Sequence, residues 1–295
     1  MKSDIRARLA ALGNELSPAM IQATRELMAA IAAPPDPAVQ ITRDQFYGPN
    51  ERNRLDIFRT GNPGNAPVLV YVHGGGFVMG DKTSPGSPFF DNIGQWAAQQ
   101  GWIGVTMTYR LAPAHRWPSG PEDMASAVSW LGKHISTYGG DPKRIILVGQ
   151  SAGAAHVSAY VAHRRFHAGG IGIAGAVLIS GILDLSTQPA NPYSAAYFGG
   201  NMAEVAEAAS IEGLVASPVP LLFTVSEFDP RDFQDQAAQL AQHWQQEKKC
   251  YPPMVYLAGH NHISPAQSIG SSEDCLASYL ADFVAAAGAA GINPV

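Results

Sequence analysis

Apolar residues near the start of the chain recur at helical intervals: Leu9, Leu12, Leu16, Met20, Ile21, Leu27, Met28 and Ile31. That spacing predicts an amphipathic helix over residues 5–33. Pro34-Pro35-Asp36-Pro37 ends it, because proline lacks an amide hydrogen and disfavours helix in the residue before it. From Asn53 the pattern changes. Leu55, Ile57 and Phe58 give a short strand, and residues 68–72 (Val-Leu-Val-Tyr-Val) form a continuous β-branched and aromatic run. Similar runs at 103–109, 144–148, 173–179, 221–225 and 254–257 predict further strands. Between most of them lie helical patterns, at 89–100, 121–138, 152–163, 233–247 and 272–287. Apolar strands alternating with helices predict a mostly parallel sheet buried on both faces. Residues 181–217 break the rhythm with Pro189, Pro192, Tyr193, Tyr197, Phe198 and a short alanine-rich helix, and read as an insertion over one end of the sheet. The predicted organisation is an N-terminal helical cap segment, 1–45, followed by one α/β domain, 46–295, that carries the cap insertion at 181–217.

Composition narrows the class of function. The 295 residues are 46% apolar and 15% charged, so the chain has ample material for a core and lacks the charge imbalance of a disordered chain. A net charge of −5 supplies no electrostatic reason to expect nucleic acid or an anionic membrane as partner. No stretch approaches the ~18 consecutive apolar residues of a membrane span. The first residues, 1–12, lack the uninterrupted apolar core of a secretory signal. Cys250 and Cys275 form neither a disulfide framework nor a ligand cluster, which fits a reducing compartment. The expectation is a cytoplasmic protein with no nucleic-acid or membrane partner. A homodimer paired through an exposed edge strand or helix stays open.

Two short motifs carry chemistry. Gly149-Gln150-Ser151-Ala152-Gly153 follows the 144–148 strand and opens the helix from Ala152. A serine on such a sharp strand-to-helix turn needs small neighbours, and the turn presents its hydroxyl above the strand ends at a helix N-terminus. A glycine-flanked serine that only caps the helix is the chemistry-free alternative. His73-Gly74-Gly75-Gly76-Phe77 comes directly after the 68–72 strand. Consecutive glycines let the backbone turn its amides toward a small oxyanion. A phosphate loop would need G-x-x-x-x-G-K-[ST], which Asp81-Lys82-Thr83 does not complete.

These two motifs, with Tyr109-Arg110-Leu111-Ala112-Pro113 and the following Pro118 and Glu122-Asp123, make the chain resemble α/β-hydrolase esterases of the hormone-sensitive lipase type. The resemblance covers roughly residues 55–280 and implies the α/β-hydrolase fold: a mostly parallel sheet, helices on both faces and a small helical cap. It implies Ser151 as nucleophile and an oxyanion hole of the Gly75, Gly76 and Ala152 amides. Ser226-Glu227-Phe228-Asp229-Pro230 looks like the family's acid loop, where an Asp-Pro pair carries the carboxylate, which selects Asp229 over Glu227 and Asp232. Capping the helix that starts near Phe233 is the other job open to Asp229. In the fold's chain order the base follows the acid, leaving His243, His260 and His262. His243 sits in a helical pattern. His260 and His262 share a loop, and His262 matches relatives in which an apolar residue, here Ile263, follows the base. The pair could also ligate a metal, but nothing nearby completes a set of three ligands.

The resemblance therefore implies a serine carboxylesterase that works through an acyl-enzyme on a small-molecule ester, with no cofactor and no metal. Phe77, Val78, Met79, Tyr197 and Phe198 are expected walls of an apolar pocket bordered by the cap, and its restricted size implies short- to medium-chain esters. An amidase or arylformamidase would use the same triad. A non-catalytic ligand receptor on this fold is the reading from a different class, and it usually lacks one triad member.

Overall fold

The computed structural model describes residues 3–187 and 191–290, so Pro189 of the insertion lies outside the described residues. One eight-stranded sheet contains β1 (Val39–Phe46), β2 (Arg54–Thr60), β3 (Ala66–Val72), β4 (Ile103–Met107), β5 (Gly140–Gln150), β6 (Gly175–Ile179), β7 (Leu221–Phe228) and β8 (Met254–Asn261). Its order is β1-β2-β4-β3-β5-β6-β7-β8. The six strands from β3 onward are parallel, while β2 runs antiparallel to both β4 and β1.

Helices α1 (Ser3–Ala11) and α2 (Pro18–Ala29) precede the sheet. Within it follow α3 (Asp91–Gln99), α4 (Ser119–His134) and α5 (Ala152–Ala162). The insertion holds α6 (Pro192–Phe198), α7 (Met202–Glu207) and α8 (Ile211–Ala216). Last come α9 (Arg231–Lys248), α10 (Ser264–Ser268) and α11 (Ala277–Ala290).

The continuous apolar runs are explained by two-sided burial. Alternate side chains of a strand point to opposite faces. Val68, Val70 and Val72 pack with Met124 and Leu131 of α4 and Val157 and Tyr160 of α5. Leu69 and Tyr71 pack on the other face with Ile93 and Trp96 of α3 and Leu280 and Val284 of α11. Every residue of β3 is buried, so neither face tolerates a polar side chain without a partner. Among the described residues no helix is long and apolar enough to cross a membrane.

Three sequence expectations are corrected. The helix expected over 5–33 is two helices, because Gly13 turns the chain at a φ of 75° and Ser17 starts a new helix, its hydroxyl accepting from the Met20 amide with Pro18 at the first position. The segment 1–45 is not helical throughout: β1 occupies most of its last part and extends the sheet beyond β2. A register shift between Thr42 and Gln45 and a φ of 54° at Asp44 break the alternation along this partly exposed edge strand, which removes its sequence signal. The last helix begins at Ala277 and not near 272, since Asp274 first gathers the amides of Gly270, Leu276 and Ala277.

The insertion is ordered by its own caps. Asn191 accepts from the Tyr193 and Ser194 amides to start α6, and Gly199 ends it at a φ of 60°. This short helix presses Tyr197 flat on Phe77, with ring centroids 4.6 Å apart and planes 6° from parallel.

Candidate active site

Ser151 stands between the end of β5 and the start of α5, at a φ of 54° and ψ of −120°. Positive φ is uncommon for a residue with a side chain, and the surroundings hold it. Its amide donates to the Ile179 carbonyl at 3.0 Å, tying the turn to the end of β6. A Cβ on Gly153 would lie 2.2 Å from the Val72 carbonyl oxygen, so the first turn of α5 can pack against the end of β3 only with glycine there. The N-terminus of α5 thus points into the space above the sheet, where its positive dipole end favours negative charge.

Asp229 leaves the end of β7 fully buried. Its Oδ2 accepts from the Ser226 amide at 2.6 Å and the Ser180 hydroxyl at 2.7 Å. Its Oδ1 lies 2.8 Å from His262 Nδ1. A carboxylate only accepts, so Nδ1 carries the hydrogen and Nε2 keeps its lone pair. That Nε2 is buried without a hydrogen-bond partner among the described residues. Phe233 lies against the imidazole, 4.1 Å between centroids.

The other candidates on these loops are spent elsewhere. Glu227 accepts from the Gly259 amide at 2.6 Å and pairs with Arg6 of α1. Asp232 is exposed and accepts from the Phe233 amide. His260 Nδ1 pairs with the Ser264 hydroxyl at 3.0 Å, and burial pushes its pKa down to about 4, which keeps it neutral. Asp229 makes no helix cap; Pro230 occupies that position.

The glycine turn lies next to the elbow. A Cβ on Gly74 would sit 3.2 Å from the Ser151 Cβ. Gly75 has a φ of 131°, and its carbonyl accepts from the amides of both Val78 and Met79. The Gly75 and Gly76 amides have no acceptor among the described residues. Ala152 begins α5, where the first amides of a helix have no partner within it. Tyr193 of α6 lies over Gly76 so closely that a Cβ there would come 2.8 Å from its ring.

Of the expected pocket walls, Phe77, Tyr197 and Phe198 line a narrow cavity of about 20 Å³ beside α5. Val78 packs against the same apolar cluster without lining the cavity. Met79 does not line this cavity; it is 53% exposed, next to the tight turn on the Gly75 carbonyl. Trp117, Ala155, His156 and Leu183 complete much of the lining.

Several residues around the site were not singled out from the sequence. Gln150, the variable position before Ser151, donates through Nε2 to the His262 carbonyl at 2.8 Å and accepts from the Tyr71 hydroxyl at 2.7 Å. It ties the histidine loop to the elbow. Asn261 Nδ2 donates to Thr24 Oγ1 of α2 at 2.8 Å, and its Oδ1 accepts from the Ile263 and Ser264 amides. Ser180 and Ser226 hold Asp229. The only available signal was polarity at positions flanked by buried strand residues. Gln150→Leu should lower kcat about 10–100-fold through misplacement of His262, with a lower thermal midpoint from the two orphaned groups. Stopped-flow ester assays and a melting curve check this; an unchanged kcat would mean that other contacts hold the loop.

Comparison with known proteins agrees with this architecture. A family model described as alpha/beta hydrolase fold matches residues 69–263. A probable carboxylic ester hydrolase, LipM, of Mycobacterium tuberculosis is 39% identical over 123 residues, covering 40% of this chain and 27% of that protein. A probable isoprenylcysteine alpha-carbonyl methylesterase, ICMEL1, of Oryza sativa is 36% identical over 121 residues, covering 41% and 27%. The match thus spans little more than a quarter of the length of these curated relatives. Among solved structures, esterase B from Lactobacillus rhamnosis, inhibited by a tributyrin phosphonate, superposes with a TM-score of 0.75 at 18% identity, covering 98% of this chain and 97% of that one. An esterase from the bacterial hormone-sensitive lipase family gives 0.70 at 20% identity, covering 97% and 98%.

Proposed function

Because the chain belongs to the α/β-hydrolase fold family, we propose that it is a serine carboxylic ester hydrolase acting on short- to medium-chain esters through an acyl-enzyme. The observation that carries this is the 2.8 Å bond from His262 Nδ1 to Asp229, which leaves Nε2 unpartnered on a loop tethered to the residue before Ser151.

In this reading His262 Nε2 takes the Ser151 proton as Oγ attacks the ester carbonyl carbon. Asp229 holds the imidazole in the required tautomer and stabilises the imidazolium. The Gly75, Gly76 and Ala152 amides bind the oxyanion, aided by the α5 dipole. The tetrahedral intermediate collapses as His262 passes its proton to the departing alkoxide. Water then attacks the acyl-enzyme carbonyl with His262 again as base, and release of the acid restores the serine. Ester hydrolysis is supported by the names of the relatives; the small cavity beside α5 supports shorter chains.

A fluorophosphonate should label Ser151 with a stoichiometry that tracks the loss of p-nitrophenyl ester hydrolysis, read by intact-mass and peptide mass spectrometry. Only a base-activated serine is phosphonylated readily. An adduct on another residue in an inhibited preparation would move the nucleophile. A panel of p-nitrophenyl esters should show kcat/KM falling beyond medium chain length.

A further inference from the structure

Strands β7 and β8 run in step until just short of the site and then lose step. Phe223, Thr224, Val225 and Ser226 pair one for one with Met254, Val255, Tyr256 and Leu257. The next pair is Phe228 with Asn261, so β8 spends four residues where β7 spends two. The excess makes a bulge, and a bulge re-aims the side chains that follow it. Both strands end at this pair, and the next residues are Asp229 on one and His262 on the other. Continued without the bulge, the pairing would set Phe228 opposite Gly259 and Asp229 opposite His260. A slip of two residues keeps every side chain on its own face, so alternation does not forbid it. Which histidine of the His260-Asn261-His262 run meets the acid therefore depends on the bulge.

One side chain spans that bulge. Glu227 Oε2 accepts from the Gly259 amide at 2.6 Å. Gly259 has no partner residue on β7, and its φ of 83° lies in the left-handed region that favours glycine. Glu227 thus supplies an acceptor where the ladder is interrupted. It stands two residues before Asp229, and Gly259 stands three before His262. Thr24 and Gln150 hold the loop beyond the bulge, at the Asn261 side chain and the His262 carbonyl. Arg6 Nη2 donates to both Glu227 oxygens, at 2.9 and 3.0 Å. With side chains 52% and 24% exposed, that ion pair contributes little by itself. What matters at Glu227 is the reach of its oxygen more than its charge.

We propose that Glu227 is a positioning residue for the base: its oxygen on the Gly259 amide holds the bulge that sets His262, and not His260, beside Asp229. It touches no reacting atom and takes no proton. The proposal rests on the esterase reading of Ser151 and His262.

Three substitutions separate reach from charge. Glu227→Ala removes the acceptor, Glu227→Gln keeps an oxygen at the same reach, and Arg6→Ala keeps the carboxylate without its ion pair. With p-nitrophenyl butyrate, Glu227→Ala should lower kcat about 10–100-fold and leave KM nearly unchanged, because a displaced base slows turnover without loosening the substrate. Glu227→Gln and Arg6→Ala should stay within about threefold of the wild-type kcat. The proton between His262 Nδ1 and Asp229 gives a second reading, as a low-field NMR signal assigned by its loss in His262→Ala. That signal should fade in Glu227→Ala and persist in Glu227→Gln. If the alanine variant does not melt cooperatively, Glu227→Asp, which keeps the charge and shortens the reach, takes its place with the same expected loss. A kcat within about threefold of wild type in the variant that lacks the reach overturns the proposal. So does a glutamine variant that falls equally far, or a loss of kcat with the low-field signal intact. If the wild type hydrolyses no ester, the esterase reading falls instead, and the low-field signal still decides the role of Glu227.

Discussion

If the proposed triad is right, His262→Ala should lower kcat on an activated ester by about 10⁴–10⁶-fold, while His260→Ala should keep most of the wild-type rate. The contrast follows from the partners of the two rings. His262 Nδ1 bonds the buried Asp229 carboxylate and leaves Nε2 open, whereas His260 is turned to the Ser264 hydroxyl on its own loop. On the proposed reading, only the first arrangement supplies a fixed base with a free lone pair. The His260 variant should lose stability, since the Ser264 hydroxyl also accepts from the Asn261 amide and His260, Asn261 and Ser264 are all buried. Steady-state kinetics and a melting curve on both variants make the comparison. A dead His260→Ala beside an active His262→Ala would transfer the base to position 260.

The second large effect is expected for Asp229→Asn, with kcat down about 10⁴-fold and the fold retained. The carboxylate oxygen Oδ2 receives two donors, the Ser226 amide and the Ser180 hydroxyl. An asparagine in the same place must put its carbonyl oxygen there, because its NH₂ would meet donors. The NH₂ is then directed at His262 Nδ1, which accepts only if the ring proton moves to Nε2. In that tautomer Nε2 cannot take the serine proton. Removing an acceptor while keeping the shape therefore inverts the base instead of simply weakening it. Ser180→Ala together with Asp229→Asn should not recover the loss, because the Ser226 amide still requires the carbonyl oxygen at that place. Activity within tenfold of wild type for Asp229→Asn alone would place the orienting acid elsewhere.

Much of this architecture was legible because its signals are local. The run at 68–72 needs both faces buried to make sense, and the structure buries both. The glycines of the elbow and of the 73–77 turn announce close backbone approach, and a Cβ at Gly153 or Gly75 would indeed lie 2.2 Å or 2.0 Å from a carbonyl oxygen. What was not legible depends on partners distant in the chain. Gln150 looks like a filler between glycine and serine until the His262 carbonyl, 112 residues on, arrives beside it. Ser180 gains meaning only from Asp229. β1 escaped notice because an edge strand with one exposed side and a bulge has no regular alternation to read. Met79, expected in the pocket as a neighbour of Phe77, is exposed beside a tight turn, and hydrophobicity does not encode where such a turn leaves a side chain.

The anchoring of the histidine loop to the first helices sets an order of events during synthesis. Thr24 of α2 is made 237 residues before Asn261, to which it bonds, and Arg6 of α1 waits 221 residues for Glu227. Chains emerge from the ribosome at about 5–20 residues per second, so the opening hairpin stays without its docking surface for on the order of ten seconds or more. Ile5, Leu9, Leu27 and Met28 end up buried together with Phe89. The turn at Ser151 can form once β6 is complete, but the loop that carries His262 is fixed only when the first helices and the late strands meet. On the proposed reading, a nascent chain halted before residue 260 would hold the Ser151 turn without the base, so hydrolysis would wait until the fold is closed around the serine.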